Sequence, residues 1–190
     1  SHADYLPLKV DYEERFYAVG KILGSRFIRR ESRPSDEAIL SARLIDRTIR
    51  PLFDQRLRRE VQVTITILSC DEKTDPDALA LIATSAALHI PDIPWKGPIG
   101  GVRLEHESNG KSTLSFFAGP KDRINMIEFE GVDAPNEEAL KVFEDSQKII
   151  NSLVDFQEKI RKEIGKPKTV IAFSDSDPRI KSLVKNFVAP

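Results

Sequence analysis

From Leu6 onward the stretch YLPLKVDY (Tyr5 to Tyr12) alternates apolar and polar positions, the two-residue period of a half-buried strand. Pro7 inside it points to an edge position or a bulge. After Gly20 and Gly24 the period changes. Ser35 is a fitting N-cap, Asp36 and Glu37 fill the first turn where the helix end is positive, and a helix is predicted to about Arg50, where Pro51 ends the pattern. VQVTITILSC (Val61 to Cys70) is rich in β-branched residues and predicts the clearest strand. Pro76 suits the first turn of a second helix, and DALALIATSAALH is apolar nearly all round, so that helix should be buried.

The next stretch, IPDIPWKGPIGG, is punctuated by proline and glycine and predicts a structured loop. Three shorter strands follow, around Val102 to His106, Ser112 to Ala118 and Ile124 to Glu130, with Asn109-Gly110 as a hairpin signal between the first two. A long amphipathic helix spans Asn136 to Ile164 and is stopped by Gly165 and Pro167. Lys168 to Pro190 reads as a strand or linker followed by the start of a further helical segment. The order of elements is α+β, without a regular strand–helix alternation. No internal repeat or low-complexity tract interrupts it.

Length and composition bound this picture. A chain of 190 residues fits one large domain, or one domain and part of another. The single cysteine, Cys70, excludes an internal disulfide and suits a reducing compartment, so a cytoplasmic location is expected. No apolar run approaches the ~20 residues that span a bilayer, and no signal peptide opens the chain, so no membrane partner is expected. The opening SHA has the look of an expression scar and is left out of the fold reading.

Charge changes the picture more. The net charge is −1, yet ten of the fifteen arginines fall between Arg26 and Arg59, against five acids (Glu31, Asp36, Glu37, Asp46, Asp54). No lysine occurs from Ile22 to Glu72. Overall neutrality hides a basic segment, and its cations are the planar guanidinium type that grips phosphate in a bidentate way.

Arg43, Arg47 and Arg50 are spaced four and three apart. At roughly 100° per residue they lie near 0°, 40° and −20°, on one helix face, with Ala42, Ile45 and Ile49 on the other side. Asp46 is adjacent in sequence but is expected to point elsewhere. Stacked like charges repel, and an anion along the stripe would offset that. A basic helix face is equally the mark of plain solvated surface. The loop SRFIRRESRP ahead of it adds Arg29, Arg30 and Arg33, and loop and stripe together favour an anion site. Phe27 and Ile28 have the character of residues that stack on bases, or that plug the loop into the core.

Other constellations are weaker. Asp71, Asp75 and Asp77 are capable of binding a metal, but capping the strand end and helix start is the better reading. His2, His89 and His106 lack metal-ligand spacing, and His89 is expected to cap a helix end. GPIGG (Gly97 to Gly101) is neither a dinucleotide fingerprint nor a P-loop, and reads as a tight turn allowing close backbone packing. No Ser/His/Asp or Cys/His set presents itself, so no catalytic residue and no metal ligand is assigned.

The stretches DYLPLKVDYEERFYAVGKILGSRFIRRESRPSDEAILSARLIDRTIRPLF and EVQVTITILSCDEKTDPDALALIATSAALHIPDIPWKGPIGGVRL closely resemble the first RNase PH-like half of the bacterial polynucleotide phosphorylases. STLSFFAGPKDRINMIEFEG and the helix ending in GKPK keep that family's order of elements. The resemblance covers about Asp4 to Lys168. It implies an RNase PH-like α+β domain over residues 4–167, lacking its first strands, then over 168–190 a linker and the start of a helical domain. The chain departs from the family pattern in a loop one residue longer, and in Ser32, Thr48 and Asp54, which replace a usual glycine and two prolines.

The implied activity is phosphate-dependent 3′→5′ degradation of RNA to nucleoside diphosphates by a homotrimer threaded by a single RNA strand. By position, Phe27, Arg29, Arg30 and Arg33 match the RNA-binding loop, and Arg43, Arg47 and Arg50 match arginines near the phosphorolytic site. The family's phosphate-binding serines and metal-binding aspartates match nothing here, so Mg²⁺ is expected in the second RNase PH-like half, with inorganic phosphate as co-substrate. This half is expected to be non-catalytic. Two other readings stand beside it. One is an RNA-binding or scaffold module with no role at a catalytic centre; the other is a single-domain exonuclease of the RNase PH type, active alone.

Overall fold

The computed structural model describes residues 4–20, 33–71, 74–108, 111–131, 135–173 and 177–188. The first strand, β1 (Leu8–Glu14), begins one residue beyond Pro7, later than the alternation predicts. Proline has no N–H for a ladder, but its carbonyl still accepts from Val61 N at 3.0 Å. A short 3₁₀ turn (Phe16–Val19) leads to α1 (Asp36–Ile49), and β2 (Val61–Ile67) returns parallel to β1 in the register Leu8 opposite Val61. Parallel neighbours require a crossover, and α1 supplies it. The predicted Val61–Cys70 strand therefore stops three residues early.

Next come α2 (Pro76–His89), β3 (Gly100–Ser108), β4 (Lys111–Gly119), β5 (Met126–Glu130), α3 (Asn136–Ile164) and α4 (Pro178–Val188). β3, β4 and β5 form an antiparallel sheet in sequence order. The hairpin signal Asn109-Gly110 lies outside the described residues. The α+β organisation expected from the order of elements is the one observed.

One main core joins both sheets. Ile45 and Ile49 of α1, Leu81 of α2, Ile99, and Phe116 and Ala118 of β4 are all essentially inaccessible to water. The buried residues of α1 lie on one side, with Ile39 and Leu40 exposed, and α2 buries Ala80, Leu81, Ser85 and Leu88 but leaves Leu79, Ala83 and Ala87 exposed, so it is less buried than its composition predicts. α3 covers the β3–β4 sheet through Ile150 and Val154, with Phe143 meeting Phe117 edge-on at 5.7 Å.

The proline- and glycine-rich loop is pinned by buried polar groups. Trp95 Nε1 donates to Ile49 O at 3.0 Å. Ile99 N donates to Ser85 Oγ at 2.9 Å, and Gln157 Nε2 donates to Ile99 O at 2.7 Å. α2 and α3 thus satisfy both polar groups of one core residue. Gly100 and Gly101 open β3 instead of forming a turn. An added Cβ at Gly100 would sit 3.0 Å from Ile150 O, and at Gly101 2.5 Å from Leu81 Cδ2, so the close backbone approach is what their sequence position requires.

After α3 the chain runs back across the end of α2. Lys166 N donates to Ile90 O, Thr169 N donates to Asp92 O, and Ile171 and Phe173 pack on the core. Lys168 Nζ donates to Leu88 O and Pro91 O at 2.8 and 2.9 Å. Here the structure corrects the expectation for His89. It is fully buried beside Glu158, its Nε2 3.1 Å from Oε1, while the lysine performs the capping. Every described side chain of α4 is exposed.

Burial holds the His89 imidazole below its ordinary value of 6.5, against the pull of Glu158. Below that value the unfolded chain binds more protons at this site than the folded one, so the contribution of His89 is full above pH 6.5 and is lost on acidification. Burial also pushes Lys168 down to about 8 from 10.5, so stability rises as the pH climbs through that window. Urea unfolding at a series of pH values should show the acid-side loss in the wild type and a flatter profile in His89→Gln. Equal slopes would mean that His89 does not titrate as its burial dictates. Replacing Ser85 by Ala orphans the Ile99 N–H and should cost about 1–3 kcal/mol in the same assay.

Candidate nucleic-acid interface

α1 starts where a side chain stops its first amides from being orphaned. Ser35 Oγ accepts from Ala38 N at 3.0 Å and donates to Glu14 Oε2 at 3.0 Å, tying the helix start to the end of β1. Ala38, Leu44, Ile45, Thr48 and Ile49 then face the core. That orientation leaves Arg43 and Arg47 exposed on the outer face, with exposed Arg33 just ahead of the helix. Among the described residues, none pairs with Arg33, Arg43 or Arg47. Among the described residues they are three guanidiniums without an ion-pair partner.

Arg50 is different. Its Nε and Nη2 donate to Asp46 Oδ2 and Oδ1 at 2.9 and 2.7 Å, a bidentate pair. The same group donates to Leu8 O at 3.0 Å and, at the long end of the range, to Leu6 O at 3.4 Å. The expectation that Asp46 points away from the stripe is therefore corrected: one turn apart on the helix, aspartate and arginine meet. The stripe divides into two open cations and one engaged cation.

Between β1 and α1 runs a groove of about 1180 Å³. Arg33, Arg43, Asp46 and Arg50 line it from the helix side, and Asp11, Glu13, Glu14 and Arg15 from the strand side. The strand acids are largely answered by their own neighbours. Lys9 Nζ lies 2.9 Å from Asp11, and Arg15 Nη2 2.5 Å from Glu13. The hydrogen bond from Lys9 is the main cause holding the Asp11 carboxyl below the ordinary carboxylate range. The groove thus offers a basic rim on α1 above a floor of Ala38, Ile39 and Ala42. Arg47 stands outside it, exposed further along the helix. Phe27, Arg29 and Arg30 lie outside the described residues.

Sequence reasoning missed Lys9 and Arg15, which quench the strand acids, because the basic segment it singled out begins only at Arg26. Their signal was readable all the same: lysine and aspartate two apart on one strand share a face.

The aspartate trio is engaged in structure. Asp75 accepts from Asp77 N at 2.8 Å as the N-cap of α2, and Asp71 accepts from Thr74 N at 2.6 Å. Asp75 and Asp77 both pair with Arg103 of β3, which also lies over the Phe116 ring. Buried Tyr12 sits against this network, and burial, with Asp77 next, pushes its phenol far above the ordinary range. With their charge answered by an arginine these carboxylates do not fit Mg²⁺, and among the described residues no group of three His, Cys, Asp or Glu is arranged to hold a metal. Neither His89 nor His106 lines the groove. Among the described residues, the groove therefore joins cations and apolar surface without a histidine base.

Residues 1–94 match the family described as the 3′ exoribonuclease family, domain 1. Over 97% of its length the chain is 42% identical to the polyribonucleotide nucleotidyltransferase of Heliobacterium modesticaldum, of which it covers 28%. The proteins of the same name from Pelotomaculum thermopropionicum and Thermus thermophilus are each 45% identical, over 92% and 87% of the chain, and 26% and 25% of their own length are covered. The chain spans about a quarter of the length of these relatives. No helix among the described residues is long and apolar enough to cross a membrane. A mixed helix-and-sheet architecture, the match over the first half and the identity carried through the long helix agree: the chain belongs to the RNase PH-type 3′ exoribonuclease family and is a relative of the polyribonucleotide nucleotidyltransferases.

Proposed function

We propose that this chain grips single-stranded RNA for a phosphate-dependent 3′→5′ exoribonuclease and forms part of a homotrimer's channel, while the chemistry is done elsewhere. The observation that carries this reading is the set of three exposed arginines, Arg33, Arg43 and Arg47, left unpaired by every described residue. Such groups contact phosphates without reading sequence, which suits an enzyme that must pass any RNA. The basic loop holding Phe27, Arg29 and Arg30 runs directly into the same helix and would extend the grip. The chain's similarity to polyribonucleotide nucleotidyltransferases supports the class of reaction.

In that reaction an oxygen of inorganic phosphate attacks the phosphorus of the 3′-terminal linkage. The 3′ oxygen of the preceding nucleotide leaves, giving a nucleoside diphosphate and an RNA one nucleotide shorter. The second RNase PH-like half would supply the phosphate site and the ligands for Mg²⁺, whose chemistry is to offset phosphate charge. This portion steers the strand electrostatically and holds it while the end is cut. Residues beyond the strap at Lys168 to Phe173, α4 included, begin the helical segment that leads toward that half. The setting is cytoplasmic.

A second reading is an RNA-binding or scaffold module with no role at a catalytic centre, supported by the pairing of Asp75 and Asp77 with Arg103, which leaves those carboxylates engaged. Loss of processivity on long RNA in the full-length enzyme carrying Arg29→Ala and Arg30→Ala would favour the first reading over the second, and two measurements test what they share. Incubated with RNA and inorganic phosphate, the isolated chain should release no nucleoside diphosphate; robust release would overturn the non-catalytic assignment. In a salt titration of oligoadenylate binding, replacing Arg43 and Arg47 by Ala should make the log K against log salt slope shallower by about 0.7 for each phosphate no longer neutralised. An unchanged slope would identify the stripe as solvated surface.

A further inference from the structure

A guanidinium has five N–H donors. In Arg50, Nε is taken by Asp46 Oδ2, both hydrogens of Nη2 are taken by Asp46 Oδ1 and Leu8 O, and Nη1 reaches Leu6 O. One N–H at most is left over, and the charge is answered by a carboxylate that is only a quarter exposed. This is the arrangement of a strut. The two carbonyls belong to β1 and the segment entering it, more than forty residues earlier in the chain, while the carboxylate and the arginine close the last turn of α1.

We propose that Arg50, clamped by Asp46, is a positioning residue: it locks the last turn of α1 to the carbonyls of Leu6 and Leu8 and so fixes where Arg43 and Arg47 stand, without contacting phosphate itself. The inference rests on the reading of α1 as an RNA-facing helix. Its physical basis is that Arg43 and Arg47 lie on the same rigid helix, two turns and one turn before the clamp. A tilt of α1 relative to β1 therefore moves both cations together and alters the width of the groove that Arg33 and Arg43 line. A guanidinium fork makes all four of these bonds at once, which an ammonium with three N–H donors cannot.

The roles of ligand and strut make opposite predictions. Binding of oligoadenylate would be measured over a salt series for the wild type, Asp46→Asn, Arg50→Gln and Arg50→Lys, at a temperature where thermal melts show each folded. A strut predicts that all three variants weaken binding about fivefold or more with the salt slope unchanged. In particular, Asp46→Asn weakens binding although it raises the local positive charge, and Arg50→Lys fails like Arg50→Gln although it keeps the charge. A phosphate ligand predicts tighter binding by Asp46→Asn, retention by Arg50→Lys, and a slope shallower by about 0.7 in Arg50→Gln. Those outcomes, or unchanged affinity in all three, overturn the proposal. Should the Arg50 variants fail to fold, the near-isosteric Asp46→Asn decides alone. A wild type that binds no RNA sinks the reading of α1 instead. The clamp is then judged by amide exchange, where the last turn of α1 must lose protection in Asp46→Asn and unaltered protection contradicts it.

Discussion

The arrangement of this chain depends on how one helix is held against one strand. α1 buries Leu44, Ile45, Thr48 and Ile49 in the core, and that hydrophobic contact supplies most of the attraction. Apolar packing is not directional, though, and on its own it leaves the helix some freedom to slide and tilt. Polar contacts at both ends remove it. At the start, Ser35 links the first turn to Glu14 at the far end of β1. At the finish, the Asp46–Arg50 pair holds the carbonyls of Leu6 and Leu8. Helix and strand are pinned at two points roughly three to four helical turns apart, so the outer face of α1 is presented in a fixed direction.

The same division of labour recurs deeper in the molecule. Bulk burial comes from the large apolar side chains, while a few buried polar groups choose one geometry among many compact ones. Ser85 and Gln157 hold Ile99 from two helices, Trp95 caps a carbonyl at the end of α1, and Asn125 Nδ2, in the connection between β4 and β5, donates to Thr48 O at 3.0 Å. Each orphaned partner would cost more than the bond's net worth, which is why such contacts specify a fold more sharply than their small stabilisation suggests. At the other end of α2, the buried His89 and the half-buried Lys168 place titratable groups where the strap starts to carry the chain onward to α4.

Helix limits were well legible in the residues. Ser35, Pro76, and Gly165 with Pro167 mark ends with capping and conformational preferences that act locally, and the three long helices begin and end where those signals stand. Strand pairing was not legible, because alternation shows which face is buried but not which neighbour is chosen, and nothing in Leu8 to Glu14 announces a parallel partner at Val61. The arginine stripe was half legible. Its angular position follows from the helical repeat, but the acceptors that engage Arg50 come from Leu6 and Leu8, far away in sequence. Part of that signal was available: Asp46 and Arg50 are four apart, the spacing at which opposite charges on a helix meet. His89 misled for a related reason, since the lysine that replaces it as the cap arrives from about eighty residues later.

What remains is a surface with a direction. On the proposed reading, three arginines unpaired among the described residues, one engaged arginine and a groove of mixed character would grip a polyanion without cutting it. Photocrosslinking of single-stranded RNA to the chain, with the adducts mapped by mass spectrometry, tests this most directly. The account predicts adducts concentrated between Arg26 and Arg47 and along the groove beside β1. Adducts confined to α3 or to β5, with none on α1, would contradict it.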